Sequence, residues 1–221
     1  MTSIVDVHRR FQRDDLPPNP TAKQIMAMPA QRTLYRRWTE EEFYKARDDA
    51  PPGVRWELVD GEVLVTPSPH WMHQRIVINL AVLLHVYVRT HALGELFTSP
   101  LDVKLEPGLV LQPDVLVVPA GELRATSDVV QHLLLAIETI SPSSARHDRV
   151  TKRPRYQRNR VPEYWIVDDS SRTVERWTPD DERPDLVAEQ LVWHPDGAAA
   201  PFVLDLTEFF ASVAAPADDA H

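Results

Sequence analysis

Two short apolar runs stand out along the chain: QPDVLVVP over residues 112–119 and LLLAIETISPSS over residues 133–144. Each is of strand length and is bounded by turn residues, and each carries one carboxylate. Asp114 opens the first run and Glu138 lies within the second. The residues before Glu138, LLLAI, have no polar face, so that strand is expected to be buried on both sides. An ionised carboxylate in such a place needs an ion pair, hydrogen bonds or a metal.

The other elements follow from the same patterning. TEEE at 39–42 is a capping-box pattern that opens a short helix to about Arg47, and DDAPPG then breaks it. VRWELVDGEVLV over 54–65 predicts a hairpin turning tightly at Asp60-Gly61. Period-two alternation sets Trp56 and Leu58 on one face and Arg55, Glu57 and Val59 on the other. TPSPH is a loop. From about Trp71 to His91, Ile76, Leu80, Leu83, Leu84 and Tyr87 recur at helical steps, with Gly94 as the stop.

Residues 95–105 predict one or two strands before an EPG turn, then PDVLVVP, a polar loop (GELRATSDVV) and the buried LLLAIET strand. A helix is expected after Ser141-Pro142, capped by Ser143 or Ser144. EYWIVD, RTVERW and LVAEQLVW predict three more strands, and DLTE at 205–208 opens a short closing helix. Residues 1–37 are expected to form a loosely attached or disordered arm, 38–212 a single domain, and 213–221 a flexible tail. The element order predicts an α/β or α+β fold, a sheet with helices against it.

Composition adds limits rather than a fold. The 221 residues suffice for one domain with a real core, and no apolar run is long enough to span a bilayer. No signal-peptide pattern opens the chain, and zero cysteines exclude disulfides and thiolate metal sites, so a cytoplasmic location is expected. The net charge of −9 argues against bulk affinity for nucleic acid, yet it is unevenly spread. Residues 144–160 carry seven Arg or Lys against Asp148 alone, whereas residues 161–221 carry fourteen acids against three Arg.

The candidate chemistry centres on the two carboxylates. Asp114 and Glu138 are 24 residues apart, enough to leave one strand and return on its neighbour. Hard cations such as Mg²⁺ take oxygen ligands of this kind, and such an ion can polarise a phosphodiester and activate water. Glu57, on a hairpin strand, is a plausible third oxygen donor. After Glu138, Asp148, Lys152 and Tyr156 fall at i, i+4 and i+8 on one helical stripe. Two readings stand for that stripe: a surface ion pair packed by the tyrosine, or a lysine aimed at the metal site. Pro154 should clash with the carbonyl of Val150 and kink or end the helix. His73, on the first turns of the long helix, is one histidine among several. No HExxH, phosphate loop or GxSxG elbow occurs, which weighs against zinc protease, nucleotide-binding and serine-hydrolase chemistry.

In order, WELVDGEV, SPHWMHQ, QPDVLVV, AIETISPSS…HDRVTKRPRY and VPEYWIVD resemble the Uma-two family of restriction endonucleases, within the PD-(D/E)XK nuclease superfamily. The resemblance covers about residues 38–211. It implies a restriction-endonuclease-like fold, a central mixed sheet flanked by helices with the active site at the sheet's edge. It also implies that Asp114 and Glu138 are the metal-binding acids and that Glu57 completes the site. The superfamily's strand lysine, two positions after the second acid, is replaced here by Ile140. Lys152 on the following helix would supply it. Thr139, where an aliphatic residue is usual, and Pro154 are further departures, and His73 matches a histidine seen in the family.

These residues imply an endonuclease that hydrolyses DNA with Mg²⁺, Mn²⁺ being the natural substitute. Catalysis would rest on Glu57, Asp114, Glu138 and Lys152, with His73 and Tyr156 as auxiliaries. Arg146, Arg149, Arg153 and Arg155 would contact DNA phosphates, and binding would be salt-sensitive. A homodimer is expected, with no membrane and no nucleotide cofactor. The rival expectation is a non-catalytic dimeric binding or regulatory module that keeps the fold, which Ile140 and Pro154 favour. A third possibility is a metal-dependent hydrolase of another phosphate ester.

Overall fold

A computed structural model describes residues 21, 37–50, 54–67, 70–122, 129–141 and 144–214. The arm expected over 1–37 and the tail expected over 213–221 lie largely outside the described residues. So do Ser143, one of the two expected caps, and the middle of the GELRATSDVV loop.

The chain runs α1 (Glu40–Asp48), β1 (Val54–Val59), β2 (Glu62–Pro67), α2 (Trp71–Thr90), β3 (Gly94–Thr98), β4 (Val103–Glu106), β5 (Leu109–Leu111), β6 (Val115–Pro119) and β7 (Leu135–Ile140). A π-helical turn (His147–Lys152) leads into α3 (Arg153–Arg158). Then come β8 (Glu163–Asp168), β9 (Thr173–Trp177), β10 (Asp185–Val187), β11 (Gln190–Trp193), β12 (Phe202–Asp205) and α4 (Leu206–Val213). A six-stranded sheet, β10-β9-β8-β7-β6-β3, forms the centre. It is mixed: β7 and β8 run parallel, joined across the π turn and α3, while the other neighbours are antiparallel. A second sheet, β2-β1-β5-β4, and a β11-β12 pair complete the fold. Among the described residues no helix is long and apolar enough to cross a membrane.

Alternation along the strands sorts residues between the two faces of the central sheet. Val115, Val117, Leu135, Ile137, Trp165 and Val167 pack with α2 and α4. Their even-numbered neighbours Leu116, Ala136, Tyr164 and Ile166 pack on the opposite face with Tyr156 and Val59. In β1, Trp56 and Leu58 turn away from that face to join Phe43 of α1. By the same parity Glu57 of β1, Asp114 just before β6 and Glu138 of β7 all belong to the layer between the two sheets.

Several local expectations hold for their stated reasons. Thr39 caps α1 in a full capping box with Glu42. Asp60 and Gly61 take φ of 50° and 82°, the two positive values that a type I′ turn needs. Asp205 caps α4 by accepting from the Glu208 amide.

Others need correction. The left-handed residue that ends α2 is Ala92, φ 52°, not Gly94. The Leu93 amide donates to Val88 O at 3.1 Å and the Ala92 amide to Arg89 O at 3.2 Å, which is a Schellman closure. Gly94 instead starts β3, where a Cβ would lie 1.9 Å from Val118 O. LVAEQLVW is not one strand: it divides into β10, on the edge of the central sheet, and β11, which pairs with β12. β5 and β12, of three and four residues, are too short to show a period.

The helix after β7 is closed at its start by Ser141. Ser141 O accepts from the Ala145 amide at 3.0 Å and Ser141 Oγ from the Ser144 amide at 3.4 Å. Pro154 does not end this helix, which continues to Arg158. The turn before it widens, so that the Arg153 amide donates five residues back to Asp148 O. Pro154 then sits in the first turn of α3, where its missing N–H is no loss.

Candidate active site

Burial decides the protonation chemistry of this layer. Four carboxylates, Glu57, Asp114, Glu138 and Asp148, are buried there together with Lys152, which is 2% exposed. Lys152 Nζ lies 2.9 Å from Glu138 Oε1, which accepts its hydrogen bond, and 2.8 Å from Glu57 Oε2. It is also 3.2 Å from Asp148 Oδ1, a charge contact without hydrogen-bond alignment, since that oxygen has no hydrogen-bond donor among the described residues. The surface-pair reading of Asp148 and Lys152 is therefore set aside. Burial alone would discharge the lysine, but Glu138, Glu57 and Asp148 hold its pKa well above the usual value.

Arg55, on the same face of β1 as Glu57, supplies the second cation. Its Nη1 is 2.6 Å from Asp114 Oδ1, 3.0 Å from Gln112 O and 3.9 Å from Glu138 Oε2. The other oxygen of Asp114 accepts from the Thr139 amide at 2.7 Å and from His73 Nε2 at 2.9 Å. An ionised carboxylate only accepts, so Nε2 carries the histidine proton. His73 Nδ1 is buried without a partner among the described residues. Burial works against ionised Asp114, but the His73 hydrogen bond, the Arg55 charge and the Thr139 amide outweigh it and lower its pKa. For Glu138 the balance reverses: burial, with Asp148 and Asp114 adding to it, pushes its pKa well up despite Lys152 and Arg55.

Glu57 stands one step behind the Asp114–Glu138 pair. Its Oε1 accepts from the Gln112 amide at 2.8 Å and its Oε2 faces Lys152. Tyr156 is fully buried and stacks on Tyr164 with ring centroids 4.5 Å apart; its hydroxyl has no partner among the described residues. Thr139, buried beside Glu138, contributes its amide, while its hydroxyl also lacks a partner among the described residues. The structure thus brings Glu57, Asp114, Glu138, Lys152, His73 and Tyr156 into one layer. Sequence reasoning missed Arg55 and Gln112, although the two-residue spacing from Arg55 to Glu57 already set both on one face.

The basic segment is placed differently. Arg149 pairs with Glu175 at 2.6 Å and Asp168 at 3.3 Å. Arg153 lies over the Trp177 ring at 4.4 Å and donates to Gln157, and Arg155 pairs with Asp60 of the hairpin turn. Of the four arginines expected to meet phosphate, Arg146 is the exposed one. Much of the positive charge of 144–160 is therefore matched within the fold.

Does a divalent cation fit? Among the described residues no three Asp, Glu or His side chains are arranged to hold one. The oxygen set here is of another composition: two carboxylates and the Gln112 main-chain carbonyl, meeting at Arg55 Nη1. These are hard oxygen donors, the chemistry that Mg²⁺ takes. Two carboxylates and a main-chain carbonyl face that one point, so the donor chemistry suits a divalent ion.

A mixed sheet flanked by helices, with acids gathered on one face, places the molecule among proteins of nuclease fold. A crystal structure described as a putative nuclease belonging to DUF820, from Anabaena variabilis ATCC 29413, matches with a TM-score of 0.68 at 19% identity, covering 80% of this chain and 99% of that one. The chain belongs to the Uma2 family, described as "Putative restriction endonuclease", whose match spans residues 40–207. No curated protein matches it. Family and fold together point to a nuclease of the restriction-endonuclease type.

Proposed function

We propose that the protein is a divalent-metal-dependent endonuclease that hydrolyses DNA phosphodiester bonds, with Mg²⁺ as its ion and Mn²⁺ as a substitute. The observation that carries this reading is the meeting of Asp114 Oδ1, Glu138 Oε2 and Gln112 O on one cationic atom, between two sheets. Asp114 and Glu138 would hold the ion. When bound, it would supply Lewis acidity to the phosphate and lower the pKa of a water molecule.

The protein's own groups set the stage for that step. His73 and the Thr139 amide fix the rotamer of Asp114 and keep it ionised. Lys152, held by Glu57, orients Glu138. Its contact with Asp148 is the longest and least aligned of the three, and the N–H freed there would orient the attacking water. Arg146, exposed on the basic segment, would contact a phosphate, with Arg149, Arg153 and Arg155 able to join only by leaving their present partners. The expected homodimer belongs to this proposal, since two copies would present one site to each strand of a duplex; sedimentation velocity reads it directly.

Catalysis is favoured over a purely binding role because a lysine reaches the acids despite Ile140 and Pro154. Asp114→Asn should fold normally, as judged by circular dichroism and urea unfolding, and lose Mg²⁺-dependent plasmid nicking by at least about a hundredfold, a loss of roughly 2.7 kcal/mol or more in transition-state stabilisation. Unchanged nicking in that variant overturns the assignment. Wild-type protein free of nicking activity in both Mg²⁺ and Mn²⁺, yet binding DNA, favours the binding module.

A further inference from the structure

Each oxygen of the central pair faces a definite partner. Asp114 Oδ2 is taken by Thr139 and His73, and Glu138 Oε1 by Lys152. Asp114 Oδ1 and Glu138 Oε2 remain, and both face Arg55 Nη1, as does the carbonyl of Gln112. The guanidinium thus sits on the same three oxygens that the proposed function assigns to, or leaves beside, a divalent ion. Both cations cannot occupy that point.

The two resident cations differ in whether they can leave. Lys152 is 2% exposed and enclosed by three carboxylates, so removing it would leave buried acids without their cation. The Arg55 side chain is 17% exposed, so part of it already meets solvent, and a long flexible side chain can redirect its charged head while its stem stays packed. An arginine stays charged at any relevant pH, so it can give up this place only by moving.

We infer that Arg55 is a tethered counter-ion of the metal site: it holds Asp114 and Glu138 in place while no divalent ion is bound, and is displaced when one binds. It is a positioning residue, not a ligand. The inference rests on the reading that Asp114 and Glu138 bind a divalent ion. It adds that ion binding is an exchange rather than a simple filling. Such exchange weakens the ion's apparent affinity by whatever the guanidinium contacts contribute, and it leaves a free arginine beside the phosphate whenever the site is loaded.

The test uses Mg²⁺ alone, without DNA, on the full chain. Calorimetric titration of wild type, Arg55→Met, Arg55→Lys and Asp114→Asn gives affinities. Nitrogen-resolved NMR of the arginine side chains, with Arg55 assigned by its loss in Arg55→Lys, gives the state of the guanidinium. The expected result is that Arg55→Met binds Mg²⁺ about tenfold or more tightly than wild type. The wild-type Arg55 signal should change from hindered to free rotation of the guanidinium as Mg²⁺ saturates. A general loss of nearby positive charge would tighten binding without any such change in wild type, so the NMR readout separates the two causes.

If the signal stays hindered at saturation, or if Arg55→Met binds no more tightly, the exchange is overturned. The ion site itself then still stands, provided that wild type binds and Asp114→Asn does not. Absence of binding in wild type and in every variant overturns both readings. Should Arg55→Met fail to fold, Arg55→Lys and the wild-type NMR titration decide the matter by themselves.

Discussion

Replacing Lys152 with methionine tests the electrostatics of the buried layer most directly. Methionine keeps most of the volume of the lysine stem, so little cavity forms and the change is chiefly the loss of one positive charge. That charge lies within 2.8–3.2 Å of three carboxylates and is 2% exposed. Removing one partner from a buried ion pair costs about 3–5 kcal/mol, because the remaining charges stay buried without compensation. Total stabilities of about 5–15 kcal/mol leave the variant folded at room temperature in most of that range.

With a urea dependence of about 2 kcal/mol per M, the midpoint of unfolding should fall by roughly 2 M with an unchanged slope. A second substitution sharpens the reasoning. Glu57→Gln keeps an oxygen for the Gln112 amide and removes one of the stranded charges. Lys152→Met/Glu57→Gln should therefore be about as stable as Lys152→Met alone or more so, with a coupling of about 2 kcal/mol. A single variant within about 1 kcal/mol of wild type, or additive effects in the pair, would show that Lys152 does not hold these acids.

Two other perturbations probe the frame around the site. The Arg155 hydrogen bond, helped by its charge, outweighs burial at Asp60 and holds that carboxyl below its ordinary 3.8. The native state then binds fewer protons than the unfolded one, so this stabilisation is present above about pH 3.8 and is lost as pH falls through the lowered value. Asp60→Asn, which tolerates the positive φ of this turn, should cost about 0.5–1 kcal/mol at pH 7, and the difference from wild type should shrink in urea melts run towards pH 2. Gly94→Ala sets a Cβ against Val118 O, 1.9 Å away, and should cost about 2–4 kcal/mol; a thermal midpoint within 2 °C of wild type would contradict the close approach of β3 to β6.

Much of the fold was legible where one short-range rule governs. Asp60-Gly61, Thr39 with Glu42, and Asp205 with Glu208 each carry their geometry in a few adjacent residues. Parity along β1 set Glu57 on the face opposite Trp56, and the apolar run before Glu138 marked that carboxylate as buried. What escaped was non-local. Nothing within LVAEQLVW says that its two halves join different sheets, because that depends on β9 and β12. The pairing of Arg149 with Glu175 and of Arg155 with Asp60 joins residues 26 and 95 positions apart, so a segment that looks bare and basic is largely neutralised on folding. Arg55 was visible as a residue on the right face, but its role depends on the main chain at Gln112, which no residue type announces.

The widened turn at His147–Lys152 means that the connector after β7 is counted residue by residue rather than elastic. In a regular helix each residue advances the side chain by about 100°, so deleting one exposed position such as Val150 would swing the ammonium about a quarter-turn from the acids while the backbone settled into ordinary bonding. Loss of a single codon in that stretch would therefore carry the ammonium away from the acids it neutralises, and should cost stability comparable to that lost in Lys152→Met.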